Sequence, residues 1–149
     1  DLMIHYIDII QNIVKSPIKQ INSIGAPVFT TGADIANARL EFENGCVANV
    51  TASRISLKSE RRMRVFQADA YITVDFQTKK LAIMRKGAGE MFPGVPSIDI
   101  EEKTFDQGDA LKSEIEAFLD AVTHGKTPIV TGEDGRRALE TALLINKNL

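Results

Sequence analysis

Asp1 and His5 stand four residues apart at the start of the chain, the separation of one helical turn. A carboxylate placed one turn before an imidazole can accept a ring N–H, fix the tautomer and favour the charged ring. The other ring nitrogen is then left to exchange a proton with a substrate hydroxyl. Asp8 comes one turn later, where its carboxylate can hold a second hydroxyl or act on the same imidazole. Asn12 and Lys15 continue the series, and residues three and four apart are neighbours on a helix, so all five share one stripe. The same spacing also describes a solvated polar face on a packed helix, and spacing by itself leaves both readings open.

The stripe requires a helix, and the surrounding residues provide one. Leu2, Met3, Ile4, Ile7, Ile9, Ile10, Ile13 and Val14 cover more than half of its circumference with apolar surface. Pro17 disfavours helical geometry at the residue before it, so the helix is expected to stop near Ser16. Over residues 26 to 86 the period changes to two. Ala36, Ala38, Leu40 and Phe42 alternate with Asn37, Arg39 and Glu41, the pattern of a half-buried strand. Asn44-Gly45 predicts a hairpin turn of type I′, after which Cys46, Ala48, Val50 and Ala52 oppose Asn49, Thr51 and Ser53. Further strands are expected at about 62–68, 71–76 and 81–86, a loop from Gly87 to Pro96, and one more strand at 98–105.

Leu111, Ile115, Phe118, Leu119 and Val122 form an apolar helical stripe, and Thr131 with Asp134 forms a variant capping box that opens a last helix. Helix, then strands, then helices predicts an α+β fold, with an open, mainly antiparallel sheet carrying helices on one face. Neither a glycine-rich phosphate loop nor a Walker-type sequence occurs.

Composition narrows the function classes. The 149 residues match one domain and are 44% hydrophobic and 26% charged, enough to bury a core without disulfides or metal. Eighteen basic against twenty acidic side chains leave a formal charge of −2, which argues against nucleic acid as a partner. No apolar run approaches a membrane span, and no signal peptide is recognisable. One cysteine fits a reducing compartment and a cytoplasmic location, and two scattered histidines do not predict a zinc site. The chain opens inside a helical pattern without an initiator Met, so a fragment of a longer protein is expected.

Asp1-Leu2-Met3-Ile4-His5, continuing Tyr6-Ile7-Asp8-Ile9-Ile10, resembles the Asp-x-x-x-His helix of the glucose–fructose oxidoreductase / inositol dehydrogenase / rhizopine catabolism (Gfo/Idh/MocA) family. Residues 34–49, Thr51-Ala52-Ser53-Arg54 and residues 128–140 resemble later parts of the same family's second domain, in the family's order. Tyr6 departs from a subgroup that reads His-Asp-Ile-Asp there, which bears on the subgroup more than on the chemistry.

The resemblance implies residues 1–149 as a C-terminal domain of substrate binding and oligomerisation, of the glyceraldehyde-3-phosphate dehydrogenase-like type. It places the N-terminal Rossmann domain outside the chain. It also implies an NAD(P)-dependent oxidoreductase acting on a sugar, cyclitol or nucleotide-sugar hydroxyl, with NAD or NADP bound mainly by the missing domain. His5 would be the acid/base, taking the hydroxyl proton as hydride leaves for the nicotinamide, and Asp1 would orient His5 or bind substrate. The chain alone is then expected to be inactive. The alternative is a non-catalytic ligand-binding or oligomerisation module that keeps the fold.

Asp8 and Arg54 are the candidate substrate-binding residues. Arg54 can anchor an anionic group such as a nucleotide-sugar phosphate, since a guanidinium makes paired hydrogen bonds to phosphate oxygens. Its other reading is a strand-end arginine bridging to a nearby carboxylate. Asn37, Arg39, Asn49, Thr51 and Ser53 would line one sheet face, either wet or in contact with a second subunit. The resemblance implies a homo-oligomer through this open face. Cys46 reads as a small buried filler and His124 as a helix-ending cation.

Overall fold

The computed structural model describes residues 3–106 and 108–149, and its backbone forms three helices and seven strands. In chain order these are α1 (Ile4–Val14), β1 (Ile18–Ala26), β2 (Ile35–Phe42), β3 (Val47–Ser53), β4 (Arg62–Phe66), β5 (Ala70–Asp75), β6 (Lys80–Phe92), β7 (Val95–Thr104), α2 (Ala110–His124) and α3 (Gly132–Lys147). The chain divides into two compact units, Asp1–Leu57 with Glu116–Leu149, and Lys58–Ile115, so the boundary falls within α2.

The first unit carries an antiparallel sheet of order β1-β2-β3 with α1 and α3 on one of its faces. Met3 and Ile7 from α1, Ala38, Leu40 and Phe42 from β2, Val50 from β3, and Ala138 and Ile145 from α3 form its core. Ile7 and Leu40 are wholly buried, and burial of such a side chain stabilises by about 1.5–3 kcal/mol. α1 ends at Val14, three residues before Pro17. Lys15 adopts a left-handed conformation (φ 50°) and its N–H bonds the Gln11 carbonyl at 3.0 Å.

Three expectations for this unit need correction. First, strand structure begins at Ile18 and not near residue 26: β1 was not expected, because its register slips between Ile18 and Gln20 and an exposed Ile24 faces away from the core. Second, the β2–β3 hairpin is not type I′, since Gly45 has φ +84° while Asn44 does not have a positive φ. The Gly45 N–H bonds the Phe42 carbonyl and the Phe42 N–H bonds the Cys46 carbonyl, giving a longer loop with its left-handed residue last. Asn44 is used otherwise: its amide donates to the Val14 carbonyl at 3.4 Å and accepts from the Cys46 N–H at 3.0 Å. Third, Cys46 is an exposed thiol, because it lies in this loop ahead of β3.

The second unit contains an antiparallel sheet of order β4-β5-β6-β7. The strands thus form two sheets, where one was expected; the stretch 54–61, rich in Ser, Lys, Arg and Glu, interrupts the alternation between them. The expected loop from Gly87 to Pro96 is a correction as well. β6 runs on to Phe92, a turn at Pro93-Gly94 uses φ +79° at the glycine, and β7 begins at Val95. Glycine at 87 serves the pairing rather than a loop, since a Cβ there would run into Ser97 Oγ and lie 2.9 Å from Asp99 Oδ1.

α3 opens as the sequence predicts. Thr131 Oγ1 accepts from the Asp134 N–H at 3.2 Å while the Asp134 carboxylate accepts from the Thr131 N–H at 2.8 Å. His124 ends α2, its Nδ1 lying 3.0 Å from the Asp120 carbonyl and 2.9 Å from Asp120 Oδ1.

Candidate active site

α1 presents two chemically distinct sides. Met3, Ile7 and Gln11 point into the core, whereas His5 is exposed and Asp8 and Asn12 are half-buried. His5 makes no hydrogen bond or ion pair among the described residues, so both ring nitrogens are open to a ligand. Asp1 lies outside the described residues.

Asp8 is already held. Asn12 Nδ2 donates to Asp8 Oδ1 at 2.9 Å and to its carbonyl at 3.1 Å, and Asn12 Oδ1 accepts from Arg137 of α3 at 3.4 Å. Arg137 in turn bonds Asp134 Oδ1 at 2.7 Å. Bonds from Thr131 and the Arg137 guanidinium hold the Asp134 carboxyl below the usual carboxylate range, Thr131 being the larger cause.

Beside the inner flank of α1 lies a cleft of about 510 Å³, bounded by Met3, Ile4 and Ile7, by the ends of β2 and β3, and by Ile145, Asn146 and Leu149. His5 and Asp8 do not line it, and Arg54 does. The structure thus brings His5 and Asp8 together on successive turns of α1 and sets Arg54 on the rim of a neighbouring recess.

Arg54 is tied to the 27–34 turn three times. Its N–H bonds the Asp34 carbonyl at 3.0 Å, its guanidinium donates to the Ala33 carbonyl at 2.9 Å, and its Nε lies 3.4 Å from Asp34 Oδ1. More than half of the side chain (58%) remains accessible, so the fixed guanidinium still faces solvent over the cleft.

Asp34 is a residue that spacing arguments missed. Its buried carboxylate accepts the N–H groups of Val28, Phe29 and Thr30 at 2.8, 2.7 and 2.9 Å, and the Thr30 hydroxyl at 2.8 Å. These bonds, the Phe29 N–H foremost, hold its carboxyl well below the usual range against the opposing effect of burial. The only sequence signal is an aspartate closing the turn-forming run Thr30-Thr31-Gly32-Ala33.

On the other side of the three-stranded sheet, Asn37 faces Thr51 and Arg39 faces Asn49 in register, all four exposed, with Ser53 half-buried at the strand end. Thr51 Oγ1 donates to Asn37 Oδ1 at 2.7 Å, a cross-strand bond on a wide polar surface.

Neither a parallel strand pair nor a glycine-rich strand-to-helix turn occurs among the described residues. Every strand pair is antiparallel, and the glycines at 87 and 89 sit within β6 instead of at a strand-to-helix turn. The first unit is thus an α+β arrangement with an exposed histidine on a helix beside a recess.

Residues 1–73, just under half of the chain, match the model of the GFO/IDH/MocA C-terminal domain. It is 38% identical over 145 residues to a UDP-N-acetylglucosamine 3-dehydrogenase of Acidithiobacillus ferrooxidans, an alignment covering 97% of this chain and 46% of the relative. A crystal form of the UDP-N-acetylglucosamine 3-dehydrogenase of the same organism superposes with a TM-score of 0.91 at 36% identity, over 99% of this chain and 47% of that one. Levoglucosan dehydrogenase in complex with NADH and L-sorbose shares the fold, with a TM-score of 0.80 at 14% identity, over 99% of this chain and 46% of its own. The chain therefore spans about half the length of the relatives it matches.

Proposed function

We propose that this chain is the substrate-binding, proton-transferring half of a two-domain NAD(P)-dependent oxidoreductase acting on a sugar, cyclitol or nucleotide-sugar hydroxyl. The dinucleotide is held by a Rossmann domain outside residues 1–149 and supplies the hydride acceptor. The observation that carries this reading is His5. In a helix whose opposite side is core, its ring stands exposed with both nitrogens open among the described residues. A neutral imidazole there takes the hydroxyl proton as the alcohol is oxidised and returns it in the reverse direction. Asp1, outside the described residues, is assigned to orient the ring or to bind substrate, and Asp8 offers the carboxylate oxygen that Asn12 does not occupy to a neighbouring hydroxyl.

A nucleotide-linked amino sugar is the substrate class best supported. The likeness to a UDP-N-acetylglucosamine 3-dehydrogenase favours it, and so does the accessible guanidinium of Arg54, anchored by the Asp34 turn and free to meet a phosphate. The test is turnover of UDP-N-acetylglucosamine with NAD or NADP by the full-length enzyme. His5→Ala is expected to lower kcat by roughly 10²–10⁴-fold, the usual worth of a positioned acid/base. Unchanged turnover in that variant removes His5 from the reaction.

The reading includes a homo-oligomer formed through the outward face of β1, β2 and β3, where Asn37, Arg39, Asn49 and Thr51 are exposed in register on paired strands. Light scattering on the full-length protein is expected to give a dimer or larger species, and Arg39→Glu/Asn49→Glu a smaller one. A native monomer would contradict it.

A further inference from the structure

The geometry points to Asn12 and Arg137 as positioning residues for Asp8, an inference that rests on the reading of α1 as the substrate-facing helix. Three facts carry it. Arg137 can only donate hydrogen bonds, and the Asp8 carboxylate can only accept them. Asn12 lies between the two, its Oδ1 toward Arg137 at 3.4 Å and its Nδ2 toward Asp8 Oδ1 at 2.9 Å. A carboxamide so placed has one satisfactory orientation, because the flipped amide would set donor against guanidinium and acceptor against carboxylate.

Arg137 is itself immobilised. It bonds Asp134 at 2.7 Å, and Asp134 is the residue that closes the capping box with Thr131 at the start of α3. The order of rigid placement therefore runs from the α3 cap through Arg137 and Asn12 to Asp8. Its consequence is specific. One Asp8 oxygen is occupied by an amide of fixed direction, so the other is held at a defined angle for a substrate hydroxyl instead of sweeping through rotamers. A bare carboxylate on an exposed helix face would have to be ordered anew at each binding event.

A neighbouring pair makes the comparison possible. Gln11 and Thr141 also join α1 to α3, but both are buried and neither reaches the exposed stripe. They hold the helix, whereas Asn12 and Arg137 hold the carboxylate.

The test uses the full-length enzyme with UDP-N-acetylglucosamine and NAD or NADP as probes, assayed well below the melting temperature. Asn12→Ala is expected to raise KM by about tenfold with a much smaller change in kcat, on the scale of one lost hydrogen bond to a charged group. Arg137→Ala is expected to shift KM in the same direction by less. The double variant should do no worse than Asn12→Ala, because both residues act through one bond. Thr141→Val should lower the melting temperature and leave KM in place. Asn12→Ala with a wild-type KM, effects of Asn12 and Arg137 that multiply, or a KM rise in Thr141→Val matching its loss of stability would each overturn the proposal. The functional reading fails separately, through a fully active His5→Ala enzyme. A wild-type protein that neither binds nor converts the sugar nucleotide overturns both.

Discussion

Gln11 Nε2 donates to Thr141 Oγ1 at 2.9 Å, and this bond between two buried side chains 130 residues apart fixes the histidine-bearing helix against α3. Gln11 Oε1 is buried with no partner among the described residues, so the amide already runs one bond short. Thr141→Val would strip the second end and is expected to cost about 1–3 kcal/mol, the penalty for stranding a buried polar group. Gln11→Leu/Thr141→Val removes both partners and should recover much of that loss. Urea unfolding of the three variants measures it, and a double variant less stable than Thr141→Val would refute the account.

Leu40 and Ile24 separate core from surface on adjacent strands. Leu40 is wholly buried at the centre of β2, whereas Ile24 on β1 is 70% exposed. Leu40→Ala is expected to lose about 2–5 kcal/mol through lost transfer energy and a residual cavity. Within a single copy Ile24→Ala should stay within about 0.5 kcal/mol, as surface substitutions do, so a larger loss in the full-length protein reports the proposed subunit contact on this face. Thermal unfolding of the two variants is the check, and a comparable loss at both sites would place the outward face of this sheet in a packed interface.

Local signals were legible where one residue type has one physical use. Pro17 ended α1, Thr131 with Asp134 opened α3, and the alternation from Ala36 to Phe42 located β2 and its inward face. β1 was not legible because a register slip and an outward Ile24 destroy its period. The 87–96 stretch misled because glycine and proline mark loops by composition. Here Gly87 instead admits the Ser97 and Asp99 side chains of the paired strand. The helical stripe from His5 to Asn12 was readable from spacing. Its partner Arg137 was not, since nothing local joins residues 125 apart. Asp34 escaped for a related reason. Its role is set by backbone N–H groups, which leave no trace in side-chain patterns.

Gly87 makes a steric prediction of moderate size. Its φ is not positive, so alanine meets no backbone penalty, and the added Cβ collides only with side-chain atoms of Ser97 and Asp99. Asp99 can turn away, but Ser97 Oγ accepts from the Gly89 N–H at 3.2 Å and loses that bond if it moves. Gly87→Ala is expected to cost about 1–2 kcal/mol, toward the low end for overpacking. Ser97→Gly in the same chain should relieve most of the clash. Calorimetry on the single and double variants decides, and a double variant no better than Gly87→Ala would show that the strand backbone, not Ser97, resists the methyl group.

Asp34 couples stability to pH through its three backbone donors. Because the folded state holds this carboxyl well below its unfolded value, the folded protein favours the ionised form. The associated stability is complete above the unfolded carboxylate pKa of about 3.9 and is lost as pH falls through the depressed folded value. Asp34→Asn keeps the shape and an oxygen for the three backbone N–H groups, but it removes the negative charge that strengthens those bonds and turns an NH2 toward the Arg54 guanidinium, so it is destabilising near neutrality. The gap between wild type and Asp34→Asn is therefore expected to stay constant from about pH 7 to pH 5 and to narrow below about pH 4. The same substitution loosens the turn that anchors Arg54, so, on the proposed function, KM for a nucleotide-sugar substrate should rise in the full-length enzyme even at a temperature where the variant is fully folded. Urea midpoints across the pH series and steady-state kinetics at pH 7 test the two halves. A stability gap unchanged down to pH 3 would mean that the amides do not prefer the ionised carboxylate.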